Sequence, residues 1–160
     1  MTIQEKYKLK GSLNISGDKS ISHRSVIMAA MSIGKTKIYN LLESKDIMST
    51  INILRKLGVK IKKINELWII NGVGTGGFKQ PTQKLDAGNS GTTSRLMLGA
   101  VATNPIKAIF LGDKSLSARP MSRVTKFLED IGAKIKLTKN NYLPISIQGT
   151  QDCLPLKHII

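Results

Sequence analysis

Several things are scarce in this chain, and each shortage excludes something. A single cysteine, Cys153, stands among 160 residues. No internal disulfide can form, and the chain suits a reducing compartment such as the cytoplasm, with Cys153 read as a small buried hydrophobe. One Trp, three Tyr and three Phe are too few to furnish a stacking platform for bases. No apolar run is long enough to span a bilayer. The start, Met1-Thr2-Ile3-Gln4-Glu5-Lys6, lacks the charged-then-apolar pattern of a secretory signal. His23 and His158 have no partner histidine or cysteine at metal-ligand spacing, which argues against a metal site. Asp and Glu number 10 against 25 Lys and Arg, and no carboxylate sits in a motif that marks an acid or a base. Asp18, Asp46 and Asp113 read instead as helix caps or loop anchors.

What remains is an ordinary globular composition, 41% hydrophobic, in a length that suits one domain with a proper core. The net charge of +15 fits two classes of protein, nucleic-acid binders and proteins that handle multiply anionic metabolites. Lys60, Lys62, Lys63, Lys134, Lys136 and Lys139 fall in strand-like or turn stretches without forming a run, so they read as solvated surface.

Three motifs share one construction. Gly17-Asp18-Lys19-Ser20-Ile21-Ser22-His23-Arg24 precedes an apolar run from Val26 to Met31. A glycine turn thus delivers a lysine, two serines and an arginine onto the first turn of a helix. Helix starts carry unpaired N–H groups and partial positive charge, which suit an anion. Asp86-Ala87-Gly88-Asn89-Ser90-Gly91-Thr92-Thr93-Ser94-Arg95 repeats the arrangement, and Gly91 lets a ligand approach the backbone. Here a plain N-cap by Asn89 or Ser90 is the competing reading. The third motif, Gly112 to Met121, is predicted as a loop holding Lys114 and Arg119, with Arg123 a turn later. A further glycine cluster, Gly72-Val73-Gly74-Thr75-Gly76-Gly77, matches a dinucleotide-binding pattern, but no helical period follows it. It is read as a flexible link.

The chain also repeats itself. LRKLGVKI at 54–61 matches LEDIGAKI at 128–135, and Arg24 matches Arg95. The first half reads as a helix over about 20–32, a strand over 35–41, an amphipathic helix through Ile47, Ile51, Leu54 and Leu57 ended by Gly58, and strands at 59–63 and 67–71 turning at Asn65-Glu66. The second half reads as a helix over about 90–103, a strand over 106–111, a helix with Pro120 near its first position, and strands at 133–137 and 143–147. The fold expected is α/β, from repeated β-α-β-α-β-β units of about 70 residues.

Together the motifs GDKSISHR, GNSGTTSR and GDKSLSARPM, in this order and over essentially the whole chain, resemble the 5-enolpyruvylshikimate-3-phosphate (EPSP) synthase family. The resemblance implies two domains of three such units each, an inside-out α/β barrel arrangement. By that division unit one spans about 17–73, unit two about 84–149, and 150–160 begins a third, while 1–16 is a strand normally belonging to the other domain. It implies transfer of the enolpyruvyl group of phosphoenolpyruvate to the 5-hydroxyl of shikimate 3-phosphate, by addition then elimination, with no metal or organic cofactor.

By motif, Lys19 would contact both substrates, and Ser20 and Arg24 would hold shikimate 3-phosphate. Gly91 and Arg119 would line the phosphoenolpyruvate site, supported by Asn89 and Thr92, with Arg95 either behind those contacts or structural. Glyphosate would compete at that site, and Gly91 implies sensitivity. No catalytic residue is identified in this portion. The expected partners are small anionic substrates, without nucleic acid or membrane. The chain is expected to be part of a longer, monomeric enzyme, inactive and prone to self-association by itself. The related UDP-N-acetylglucosamine enolpyruvyl transferases usually carry a reactive cysteine in the loop matching 112–119, absent here. RNA 3′-terminal phosphate cyclase is a more distant relative whose nucleotide chemistry has no motif in this sequence. A small basic RNA-binding module would explain the charge but not the three anion motifs.

Overall fold

The computed structural model describes residues 10–138 and 141–157. His158, Lys139 and the first nine residues lie outside them. Helix α1 (Lys19–Met31) opens on Asp18, whose carboxylate accepts from the Ile21 N–H at 2.7 Å. Strand β1 (Ile33–Ile38) follows, then α2 (Lys45–Lys56), which Ser44 caps through the Ile47 N–H. Strands β2 (Lys60–Ile64) and β3 (Leu67–Val73) form the expected hairpin, with Asn65 at positive φ in the turn. Then come β4 (Leu85–Asp86), α3 (Gly91–Ala102) and β5 (Lys107–Leu111). Helices α4 (Lys114–Ser117) and α5 (Ser122–Asp130) and strands β6 (Lys134–Thr138) and β7 (Tyr142–Gln148) complete the order.

The strands make two sheets, β1-β3-β2 and β4-β5-β7-β6. In the first, β3 pairs antiparallel with both neighbours, so Lys35, Asn71 and Lys60 share one row. In the second, β7 does the same, and Lys107, Gln148 and Lys134 share the corresponding row. Strand β4 adds a parallel partner to β5. Lys35, Lys37, Lys60, Lys62, Lys107, Lys134 and Lys136 are all exposed. Alternate positions such as Ile61, Ile70, Ala108, Phe110, Ile145 and Ile147 are buried with the helices. The period-2 alternation of side chains thus sends the basic residues to solvent and the apolar ones to the core, as expected for a solvated lysine surface.

Two glycines fix how closely helix and strand approach. A methyl group on Gly72, in β3, would fall 2.5 Å from the Ala29 carbonyl oxygen and closer still to that of Ser32, at the end of α1. A methyl on Gly149, just after β7, would fall 2.9 Å from the Ala102 carbonyl oxygen and closer still to those of Val101 and Asn104, at the end of α3. Gly149 donates its N–H to Ile106 at 3.0 Å, and Gly74 donates to Ser32 at 2.8 Å.

Five expectations need correction. The Gly72–Gly77 stretch is not a loose link. Gly72 and Val73 belong to β3, Gly74 is bonded to Ser32, and buried Phe78 donates its N–H to the Asn104 side chain at 3.1 Å. The 112–119 loop contains the short helix α4, started by Asp113, which accepts from the Leu116 N–H at 2.8 Å. Pro120 precedes α5 by two residues rather than occupying its first position. Strand β1 ends at Ile38, before Asn40 turns the chain at positive φ. Cys153 is exposed, not buried.

Residues 10–18 form no strand, and residues 150–157 form no regular element. Among the described residues no helix is long and apolar enough to cross a membrane.

Candidate functional site

Helices α1, α2 and α3 pack together, and side chains tie their starts to one another. Lys19, the first residue of α1, forms an ion pair with Asp46 in the first turn of α2. The Asp46 carbonyl accepts from the hydroxyl of Thr93, in the first turn of α3, at 3.1 Å. Three positive helix ends therefore meet beside Lys19, an electrostatic setting that favours an anion. Ser20 and Arg24 are exposed on the same turns of α1, and Arg24 Nη1 donates to the Ser20 carbonyl at 3.1 Å.

A second cluster forms around the start of α3. Ser90 caps the helix by accepting from the Thr93 N–H at 3.1 Å. Gly91 follows as the first helical residue, and Thr92 is exposed beside it. A methyl group on Gly91 would lie 2.9 Å from Arg95 Nη1 and 3.7 Å from Arg119 Nη1. Two guanidinium groups thus stand over the bare backbone of Gly91. Arg119 also donates to Asn89 Oδ1 at 3.2 Å and to the Ser115 hydroxyl at 3.3 Å. Asn89 in turn donates to Asp113 at 2.7 Å. The Leu116 N–H, with the Asn89 amide next, holds the Asp113 carboxyl below its ordinary value of 3.8. Asp113 stays ionised and aims Asn89, which orients Arg119.

Among the described residues, Arg24, Arg95 and Arg119 have no carboxylate within ion-pair distance. Their charge is therefore available to a ligand. No three His, Cys, Asp or Glu side chains of the described residues gather in a way that could hold a metal ion. The arrangement gathers cations and helix N-termini that suit an anion; the carboxylates beside it, Asp46 and Asp113, are engaged by Lys19 and by Asn89 with the Leu116 N–H. The face is open rather than enclosed. A groove of about 250 Å³ lies between α1 and α3, with Arg24 at its rim and Met28, Met31, Leu96 and Gly99 in its walls.

The structure brings Gly91, Arg119 and Asn89 together and sets Lys19, Ser20 and Arg24 on the neighbouring helix start. Arg95, expected to stand behind the substrate contacts or to be structural, reaches Gly91 with its guanidinium. The i, i+4 spacing of Gly91 and Arg95 on one helix carried that signal. Ser22 moves the other way: its hydroxyl is buried and accepts from the Leu42 N–H at 3.1 Å, so it does not face an anion. Arg123 is exposed on α5. Asp18 and Asp113 are caps, as expected, while Asp46 is instead the partner of Lys19.

The sequence profile of EPSP synthase (3-phosphoshikimate 1-carboxyvinyltransferase) matches residues 3–159. A 3-phosphoshikimate 1-carboxyvinyltransferase of Paracoccus denitrificans is 44% identical over 159 residues, covering 99% of this chain and 36% of its own length. One from a Bradyrhizobium species is 47% identical over 150 residues, covering 92% of this chain and 34% of its own. A solved EPSP synthase from Acinetobacter baumannii superposes with a TM-score of 0.87 at 38% identity, covering 92% of this chain and 34% of that one. The chain spans about a third of the length of the curated relatives it matches.

Proposed function

The chain belongs to the EPSP synthase family, and on that premise we propose that its cationic face is the part of an enolpyruvyl-transfer site that binds and orients the two substrates. Lys19, Ser20 and Arg24 hold shikimate 3-phosphate. Lys19, Gly91 and Arg119 hold phosphoenolpyruvate, with Asn89 and Thr92 in support. The observation that carries this reading is the convergence of Arg95 and Arg119 on Gly91, which has no side chain and lies buried beneath them, beside Lys19 at the next helix start.

The chemistry requires such a face. In the addition step the 5-hydroxyl oxygen bonds to the central carbon of phosphoenolpyruvate while a proton reaches its methylene carbon. In the elimination step phosphate leaves and a proton returns from that carbon. Both partners are multiply charged anions, and at close range their repulsion amounts to several kcal/mol at an effective dielectric of about 20. Converging cations offset it and turn an encounter into a positioned pair. Proton transfer is left to groups that this face does not supply. The phosphate-binding contacts and acidic residues of the rest of a full-length enzyme would complete the site.

The architecture fits two of the three units of one domain: the second carries its leading strand, β4, while the first has none among the described residues. The matching rows Lys35-Asn71-Lys60 and Lys107-Gln148-Lys134 and the matching contacts of Gly72 and Gly149 support that division.

The test is direct. Shikimate 3-phosphate titrated into the labelled chain should shift the amides of Lys19–Arg24, and phosphoenolpyruvate those of Gly91–Arg95. In a phosphate-release assay the isolated chain should show no turnover. Robust turnover would refute the division of labour, and shifts confined to the lysine-rich outer sheet faces would refute the site.

A further inference from the structure

A chain of buried polar groups runs beneath the anion-binding face, and substrate binding does not use it. His23 of α1 is fully buried. Its Nδ1 lies 2.8 Å from the Thr50 hydroxyl of α2, which lies 2.8 Å from the Thr93 hydroxyl of α3. Thr93 donates to Ser90 Oγ at 2.8 Å and to the Asp46 carbonyl at 3.1 Å. Thr50, Thr93 and Ser90 are each no more than 2% exposed. His23 Nε2 has no partner among the described residues.

The hydrogens can be counted. A hydroxyl carries one hydrogen. That of Thr93 is directed at Ser90 and Asp46, so in the contact between the threonines Thr50 is the donor. The hydrogen of Thr50 is then spent, and toward His23 its oxygen can only accept. Nδ1 must therefore carry the imidazole hydrogen, leaving Nε2 a bare lone pair. The reverse order would need the Ser90 hydroxyl to donate to Thr93, opposite to the direction of that bond in this structure, and would bury an orphaned N–H at Nε2, the rarer and costlier defect.

We propose that His23 is a positioning residue: held as the neutral Nδ1–H tautomer, it heads a directed hydrogen-bond chain through Thr50 to Thr93 that sets the start of α1, with Lys19, Ser20 and Arg24, against the start of α3, with Gly91 and Arg95. The groups around the ring agree with a neutral imidazole. Burial pushes its pKa down from 6.5, Asp46 of α2 opposes that, and Lys19 and Arg24 of α1 reinforce it. From α3 the Thr93 hydroxyl reaches the ring through Thr50. A chain whose members are all satisfied specifies one arrangement of the three helices, where an apolar contact would tolerate sliding.

The ligand side of this inference rests on the reading of the face as an anion site; the hydrogen-bond chain does not. Long-range proton–nitrogen correlation spectra of the labelled chain should show His23 protonated at Nδ1 and bare at Nε2, unchanged from pH 7.5 to 6.5. A proton on Nε2 in that range overturns the proposal and requires no variant. Inorganic phosphate is the probe for positioning, read at the Ser20 and Gly91 amides. Thr50→Val keeps the shape and cuts the chain; in the folded population it should weaken phosphate binding at least about fivefold, and Thr50→Ser should restore it to within about twofold. A purely structural role would lower stability and leave that affinity unchanged, and this result would also overturn the proposal. A wild-type chain that binds no phosphate would refute the anion-site reading instead. The proposal would then stand or fall on the tautomer.

Discussion

Gly72 leaves no room for a side chain. Alanine there places a methyl 2.5 Å from the Ala29 carbonyl oxygen and nearer to that of Ser32, where ordinary contact begins at 3.4 Å. The shortfall is about 0.9 Å at the more distant of the two atoms. Both obstacles are backbone atoms at the end of α1, so no side chain can rotate away. Either β3 or the last turn of α1 must move, and each belongs to the buried core. Overpacking usually costs about 1–3 kcal/mol; with backbone as the obstacle, about 3 kcal/mol or more is expected.

For a chain of this size that lowers the melting temperature by about 6–12 °C. Gly149→Ala should do the same, because it meets the end of α3 in the same way. Gly99 is the control. It lies inside α3 with nothing within 4 Å of an added methyl, so alanine there should stabilise by up to about 1 kcal/mol through helix propensity. Urea and thermal unfolding of the three variants measure this. Gly72→Ala within about 0.5 kcal/mol of wild type would refute the packing argument.

Other expectations concern the site. Because burial lowers the pKa of His23, the unfolded chain takes up a proton near pH 6.5 before the folded chain does. Stability conferred by the neutral ring is full above 6.5. It falls at about 1.4 kcal/mol per pH unit below that, until the folded pKa is passed. Urea unfolding between pH 5 and 8 should show the decline in wild type and lose that component in His23→Asn. Gly91→Ala should leave stability within about 1 kcal/mol, since only the mobile end of Arg95 must shift. It should weaken phosphoenolpyruvate binding about tenfold or more by pushing the Arg95 guanidinium aside, and a complete enzyme carrying Gly91 should be inhibited by glyphosate. Titration calorimetry and inhibition assays decide these. Arg119→Ala should cost phosphoenolpyruvate affinity about tenfold to a hundredfold through lost charge-assisted hydrogen bonds, and the salt dependence of binding should weaken with it.

Much of this was legible in the sequence because it is local. Asp18, Ser90 and Asp113 stand where caps belong, and the apolar periods of Ile47–Leu57 and of 143–147 place α2 and β7 within a residue or two. The motif residues Gly91, Asn89 and Arg119 do meet, although 24 residues separate Asn89 from Asp113 and 30 separate it from Arg119. What stayed hidden depends on contacts between distant segments. Ser22 and His23 look alike as polar residues of a helix start. Only the packing of α2 and of Leu42 against α1 buries them and uses their polar atoms. The pairing of Lys19 with Asp46 joins two helices that no spacing rule connects. Gly72 reads as part of a glycine-rich link until the end of α1 is seen to rest on it.

The Lys19–Asp46 pair also bears on how tightly this face can hold anything. Asp46 acts as a resident counter-ion, moderating the mutual repulsion of three helix ends and a lysine. An arriving phosphate or carboxylate must displace it or share the lysine with it, and the free energy of that exchange is subtracted from the gain on binding. Affinity is thereby tempered on arrival, and the same carboxylate stands ready to reclaim Lys19 as the anion departs. The proposed transfer, which ends by releasing phosphate and a larger anion, would benefit from a lysine that can be handed back.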